Sequence, residues 1–215
     1  ALAKIYCMAD NNLFPDEMRV QQAIWWTAKF YPSFDPLYAN KLAGAFGLNT
    51  KKRIRSLSTG YRSIFKIVLA LASNTPILLL DEPVLGLDAN HRDLFYRELI
   101  ANFSSQPKTI VLSTHLIEEA SNLIEHVVIL KEGRLILAED TQSLLERGYS
   151  VSGPAAVVES FLAGKQAIGR ERLGGLQTAY VLGQPPQQQP GLEFARMDLQ
   201  KLFIELTNSE GGNLL

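Results

Sequence analysis

The apolar positions along the chain change period several times. Residues 5–8 form a short apolar run that predicts a buried strand, and the turn-rich Asp10-Asn11-Asn12 and then Phe14-Pro15 close it. Helical spacing follows over residues 18–30, which carry Trp25, Trp26 and Phe30. A second helix is predicted to open at Asp35-Pro36, an N-cap carboxylate with proline in the first turn, and to stop at Gly47 after Leu42, Ala45 and Phe46. Together these helices predict a small helical subdomain, about residues 16–56.

From Leu57 onward strands alternate with helices, the pattern of a parallel sheet covered on its faces. Residues 77–80 and 109–113 are the expected strands, 63–71 a buried helix before them and 90–104 a helix between them. Residues 127–130 and 134–138 are expected to pair as a hairpin around Glu132-Gly133 and to add antiparallel strands at one sheet edge, making the sheet mixed. Beyond Thr141 frequent glycines punctuate short apolar runs. A core over 1–140 followed by a smaller α+β module over 141–215 is therefore expected, the module ending in a helix with Leu199, Leu202, Phe203 and Leu206 on one face.

Composition narrows the classes. With 215 residues and 47% apolar content the chain can bury a core. Its 21 basic and 22 acidic residues nearly cancel, so no global field favours nucleic acid, which is not expected as a partner. Cys7 is the single cysteine; it excludes an internal disulfide and fits a reducing compartment. The longest apolar stretch, 64–72, is broken by Lys66 and falls short of the roughly 20 residues that span a bilayer. No secretory leader pattern precedes it.

Three segments carry candidate chemistry. The apolar run 77–80 delivers Asp81-Glu82-Pro83 at the carboxyl end of a buried strand, where open α/β sheets bind ligands. Paired acids there suit phosphoryl chemistry, one holding Mg²⁺ and its neighbour orienting water, although acids also cap ordinary solvated strand ends. Leu57-Ser58-Thr59-Gly60-Tyr61 precedes a helix, and its hydroxyls and backbone N–H groups suit a phosphate; the same residues are also common capping chemistry. Downstream, Gly86-Leu87-Asp88 opens the next connection and Ser113-Thr114-His115 ends the next strand. An isolated histidine there is more often structural, but the conjunction of all these ends points to one site.

In this order the motifs resemble those of the ABC ATPase family, and the resemblance covers nearly the whole chain. The family's LSGGQ-like signature stands here as Leu57-Ser-Thr-Gly-Tyr61, so Ser58 and Gly60 match while Thr59 and Tyr61 are substitutions. The resemblance implies a RecA-like P-loop ATPase core that uses ATP and Mg²⁺. It implies that Asp81 helps hold the metal, Glu82 polarises the attacking water, His115 senses the γ-phosphate and Asp88 communicates across a dimer. Ser58, Thr59, Gly60 and Tyr61 would serve the nucleotide of a second cassette paired head to tail. Ala9 falls where the family presents a glutamine or glutamate, and Asp10 could replace it only by a backbone shift. The tail resembles that of bacterial ABC-2-type exporters. A cytoplasmic subunit held at the inner membrane face by integral membrane transporter subunits is implied.

A phosphate-cradling Gly-x-x-x-x-Gly-Lys-Ser/Thr run does not occur; the one Gly-Lys step, Gly164-Lys165, has Glu159 in place of the first glycine and Gln166 in place of the hydroxyl. A truncated start lacking the N-terminal strands is expected, as is an isolated chain without activity. The competing reading is a non-catalytic cassette that lends Ser58 and Gly60 in trans; a DNA- or ribosome-directed ABC protein fits the charge poorly.

Overall fold

A computed structural model describes residues 2–9, 11 and 13–208, so Asp10 and Asn12 of the first expected turn lie outside the described residues. Contacts divide the chain into two compact units, Ala1–His115 and Leu116–Leu215.

The first unit begins with β1 (Ile5–Met8) and proceeds through α1 (Val20–Phe30) and α2 (Pro36–Ala45), the expected helical pair. Asp35 caps α2 as its sequence predicts, its carboxylate accepting from the N–H groups of Leu37 and Tyr38. The helix α3 (Thr59–Ala72) is buried over almost its whole length, with Ile67, Val68, Leu69 and Leu71 fully enclosed, which is why its sequence is apolar nearly all round. It begins four residues before the expected start, because the Ser58 hydroxyl accepts from the Tyr61 N–H and draws Thr59 and Gly60 into the first turn. Then come β2 (Ile77–Asp81), α4 (Ala89–Ser105) and β3 (Thr109–Ser113).

The three strands form one sheet in the order β1-β2-β3, all parallel, with Ile5 opposite Ile77 and Asp81 opposite Ser113. Parallel neighbours require crossover connections, here the helices between them. The arrangement brings the carboxyl ends of β1, β2 and β3 to one edge of the unit.

The second unit contains α5 (Ile117–Ala120), the hairpin β4 (His126–Lys131) and β5 (Arg134–Asp140), and α6 (Thr141–Arg147). Its second half holds β6 (Gly148–Pro154), α7 (Ala155–Phe161), β7 (Gln166–Leu173), β8 (Leu176–Leu182), β9 (Glu193–Arg196) and α8 (Leu199–Asn208). An antiparallel sheet runs β7-β8-β6-β9.

Two expectations change here. The hairpin forms at Glu132-Gly133, both with left-handed φ (51° and 75°), but it is a separate two-stranded sheet and adds nothing to the edge of the parallel one. Its apolar face is covered elsewhere: Ile129 and Leu137 share a core with Leu144, Ile168, Tyr180, Leu199 and Leu202. For the same reason the division between units falls after His115 and not near residue 140, since the hairpin buries Ile129 and Leu137 with Leu144 of α6 and Leu199 and Leu202 of α8.

Candidate functional site

The sheet edge gathers the first cluster. Asp81 ends β2 and Ser113 ends β3 in register, and the Ser113 hydroxyl donates to the Asp81 carboxylate at 2.6 Å. Glu82 follows with φ 43°, a left-handed backbone that a side chain of this size rarely adopts. The turn is held on both sides: the Glu82 N–H donates to the Ser113 carbonyl at 3.0 Å, and the Glu82 carbonyl accepts from the Leu85 N–H at 3.1 Å. That conformation turns the carboxylate toward His115, whose Nδ1 lies 2.9 Å from each Glu82 oxygen. The glutamate side chain is 27% exposed and the histidine 60%, so the pair opens to solvent.

The second cluster forms at the start of α3. Ser58 and Thr59 are exposed, and Ser58 spends its hydroxyl as a long cap, 3.4 Å from the Tyr61 nitrogen. Gly60 lies so close to Gly86 that a Cβ on it would fall 2.7 Å from the Gly86 carbonyl oxygen; Gly86 itself has φ 77°. The buried Ser63 hydroxyl donates to the Leu85 carbonyl at 2.8 Å. The connection from Glu82 to Asp88 is thus fastened along α3 while one end carries the Glu82–His115 pair. At the other end Asp88 caps α4, accepting from the His91 N–H at 2.9 Å and lying 2.9 Å from the His91 ring. Those two bonds, the backbone one foremost, hold the Asp88 carboxyl below the usual carboxylate range.

All eight residues expected from sequence therefore fall in two clusters joined by one loop. Asp81, Glu82 and His115 meet at the strand ends, whereas Ser58, Thr59, Gly60, Tyr61 and Asp88 surround the start of α3 and α4. Sequence reasoning gave no role to the Ser113 hydroxyl, Ser63, His91 or Lys66. The parallel register of β2 with β3 would have placed Ser113 beside Asp81; nothing local marks the other three. Lys66 donates to the carbonyl of Ala9 at 3.1 Å, so the segment after β1 is tied by its backbone, where the family pattern would offer an amide or acid side chain.

Chemically, a carboxylate steadied by a hydroxyl suits a divalent cation that keeps most of its waters and takes only one or two protein carboxylates alongside phosphate oxygens. Among the described residues no three His, Cys, Asp or Glu side chains converge as a closed metal cage. The Glu82–His115 pair can hold or relay a proton.

Away from these clusters, α1 exposes Trp25, Trp26 and Phe30, and Leu13 lies open before it; Phe30 and Leu13 are more than two-thirds exposed. An open hollow of about 330 Å³ beside them is lined by Tyr6, Leu13, Phe14, Phe30 and Tyr31. Of these aromatics Trp25, Trp26 and Phe30 are surface residues, whereas Tyr6 is buried.

Residues 39–121, which span both clusters, match the family described as "AAA domain, putative AbiEii toxin, Type IV TA system". The ABC transporter ATP-binding protein YtrB of Bacillus subtilis is 28% identical over 142 residues, 66% of this chain and 49% of that protein. Nod factor export ATP-binding protein I of Burkholderia orbicola is 28% identical over 172 residues, 74% of this chain and 56% of that protein. The chain thus spans about half the length of these curated relatives. A solved ATP-binding subunit of an ABC transporter superposes with a TM-score of 0.60 over 66% of this chain and 61% of its own, at 21% identity, a likeness of fold. The chain is similar in sequence to ATP-binding proteins of ABC transporters and shares the fold of their solved ATP-binding subunit.

Proposed function

We propose that the chain is the ATP-hydrolysing part of a subunit that powers an ABC-type membrane exporter. The observation that carries this reading is the Glu82–His115 pair beside Asp81, held by a left-handed turn at the carboxyl ends of parallel strands. In this reading Asp81 would hold Mg²⁺, which would supply charge neutralisation at the phosphates. Glu82 accepts the proton of the attacking water, and His115 orients Glu82 and contacts the terminal phosphate. Ser58, Thr59, Gly60 and Tyr61 face the nucleotide of a second cassette, and Asp88 meets that cassette.

The cradle for the phosphates comes from outside these 215 residues, because they contain no glycine-rich Gly-Lys-Ser/Thr loop. The exposed Leu13, Trp25, Trp26 and Phe30 are the surface offered to integral membrane subunits. Apolar aromatics clustered beside a hollow are the kind of anchor that partners bury. No helix among the described residues is long and apolar enough to cross a membrane. The name of the Nod factor export relative supports export as the direction.

The test compares ATP binding and hydrolysis, with Mg²⁺, for the 215 residues alone and for the same residues joined to the coding sequence upstream of them, each with Glu82→Gln. Hydrolysis only in the longer chain, abolished by Glu82→Gln while ATP binding persists, is the expected result. Turnover unaffected by Glu82→Gln would refute catalysis here and mark the chain as a cassette that only lends its signature turn.

A further inference from the structure

We infer that His91 is a positioning residue that fixes the Asp88 carboxylate relative to the signature turn, so that the two surfaces offered to a second cassette are set as one. The inference rests on the ABC ATPase reading above and extends it to a position that neither the signature nor the Asp88 motif contains.

Residue 91 supplies both partners of Asp88. Its N–H binds one carboxylate oxygen and its Nδ1 lies 2.9 Å from the other, so the plane of the carboxylate is held at two points. An N-cap needs only the first of these bonds. The second requires an imidazole held in one place, and two rings hold it. Phe46, 1% exposed at the end of α2, stacks on it at 6.2 Å with 16° between planes. Tyr61 meets it edge-on at 6.1 Å and 66°. Such aromatic pairs have preferred geometries and are not merely apolar filler.

Tyr61 is part of the signature turn, its N–H capped by Ser58 and its hydroxyl reaching toward Gly47 after α2. His91 therefore touches the end of the helical subdomain, the signature turn and the Asp88 cap at once. Gly60 against Gly86 and Ser63 to Leu85 fasten the middle of the loop to α3, and the His91 contacts tie its far end. Groups that must meet a partner together gain from being ordered beforehand, because the ordering cost is then absent from association.

His91→Phe keeps a ring between Phe46 and Tyr61 but removes the nitrogen that faces Asp88. In the longer, hydrolysing chain it is expected to lower kcat by more than about threefold, the loss of one hydrogen bond to a charged group, while KM for ATP and the thermal midpoint hold. Adding it to Asp88→Asn is expected to cost nothing further. A kcat within about threefold of the parent, or losses that multiply in the double variant, would overturn the inference. If the unsubstituted longer chain hydrolyses no ATP, the functional reading falls and takes this one with it; an active parent with an unaffected variant sinks this one alone. NMR titration of the unsubstituted 215 residues needs no variant to fold: the Asp88 carboxyl is expected below the usual range and an ordinary value overturns the inference. His91→Phe should move it only part of the way back, since the N–H bond stays.

Discussion

Gly60 and Gly44 lie in consecutive helices, and a single added methyl group is expected to act on them with opposite signs. On Gly60 it would sit 2.7 Å from the Gly86 carbonyl, backbone against backbone, with no flexible side chain to move aside. Gly60→Ala is therefore expected to destabilise the chain by about 1–3 kcal/mol. On Gly44 it would meet nothing within 4 Å, on an exposed turn of α2. Gly44→Ala is expected to stabilise by about 0.5–1 kcal/mol through helix propensity. Urea unfolding of the two variants decides it, and a shift of the same sign in both would contradict the packing described. This contrast also marks what the sequence discloses at the scale of single residues. Gly60 is recognisable as part of a signature turn, but the reason it must be glycine lies 26 positions away at Gly86. Glu82 is legible as an acid after a strand, while its left-handed backbone, which aims it at His115, is not written in any local pattern. His91 is the extreme case, since its role needs Phe46, Tyr61 and Asp88 from three separate elements.

Elements were more legible than residues because their causes are local. Asp35-Pro36 starts α2 and Glu132-Gly133 turns the hairpin for reasons contained in a few neighbouring positions. The partner of a whole element is not local information, and the hairpin lost its expected place on the parallel sheet for that reason: period and turn chemistry fix its pairing but not which core covers Ile129 and Leu137. Capping at α6 gives a test at this scale. The Asp140 carboxylate accepts from the Ser143 N–H at 2.8 Å, and this bond, with the Ser143 hydroxyl next, holds its carboxyl below the usual range. A depressed carboxyl contributes stability at pH above its unfolded value, and that contribution disappears as pH falls through the lower folded value. Asp140→Asn keeps a capping oxygen and removes the titration. Unfolding followed from about pH 6 down to about pH 2, across the carboxylate range, is expected to show a shallower acid limb in the variant. An unaltered limb would show that the cap does not carry this charge.

At the scale of the whole molecule the chain joins an α/β unit that holds every candidate site residue to a unit, Leu116–Leu215, that holds none. The second unit has a charged latch of its own. Lys201 of α8 lies 2.8 Å from Glu171 on β7 and 2.9 Å from Glu205 on its own helix, with its ammonium 4.2 Å from the Tyr180 ring. Glu205 is 8% exposed and occupies the space opposite Gly169, where a Cβ would come within 1.7 Å of its carboxylate. The helix is thus keyed into the sheet by an acid that a glycine admits and a lysine neutralises. Hydrogen bonds from Lys201 to Glu171 and then Glu205 hold its ammonium above the ordinary lysine range. Lys201→Met keeps the apolar stem over Tyr180 and removes the charge. A partly exposed pair of this kind contributes about 1 kcal/mol, so amide exchange in β7, β8 and α8 is expected to quicken roughly fivefold while β1, β2 and β3 are unchanged. A lysine whose folded value is raised gives its full stabilisation below the unfolded value, near 10.4, and loses it as pH rises toward the folded one. The gap between parent and variant should therefore narrow above about pH 10, and a gap that persisted there would mean that the methionine disturbs packing and that the latch is not electrostatic.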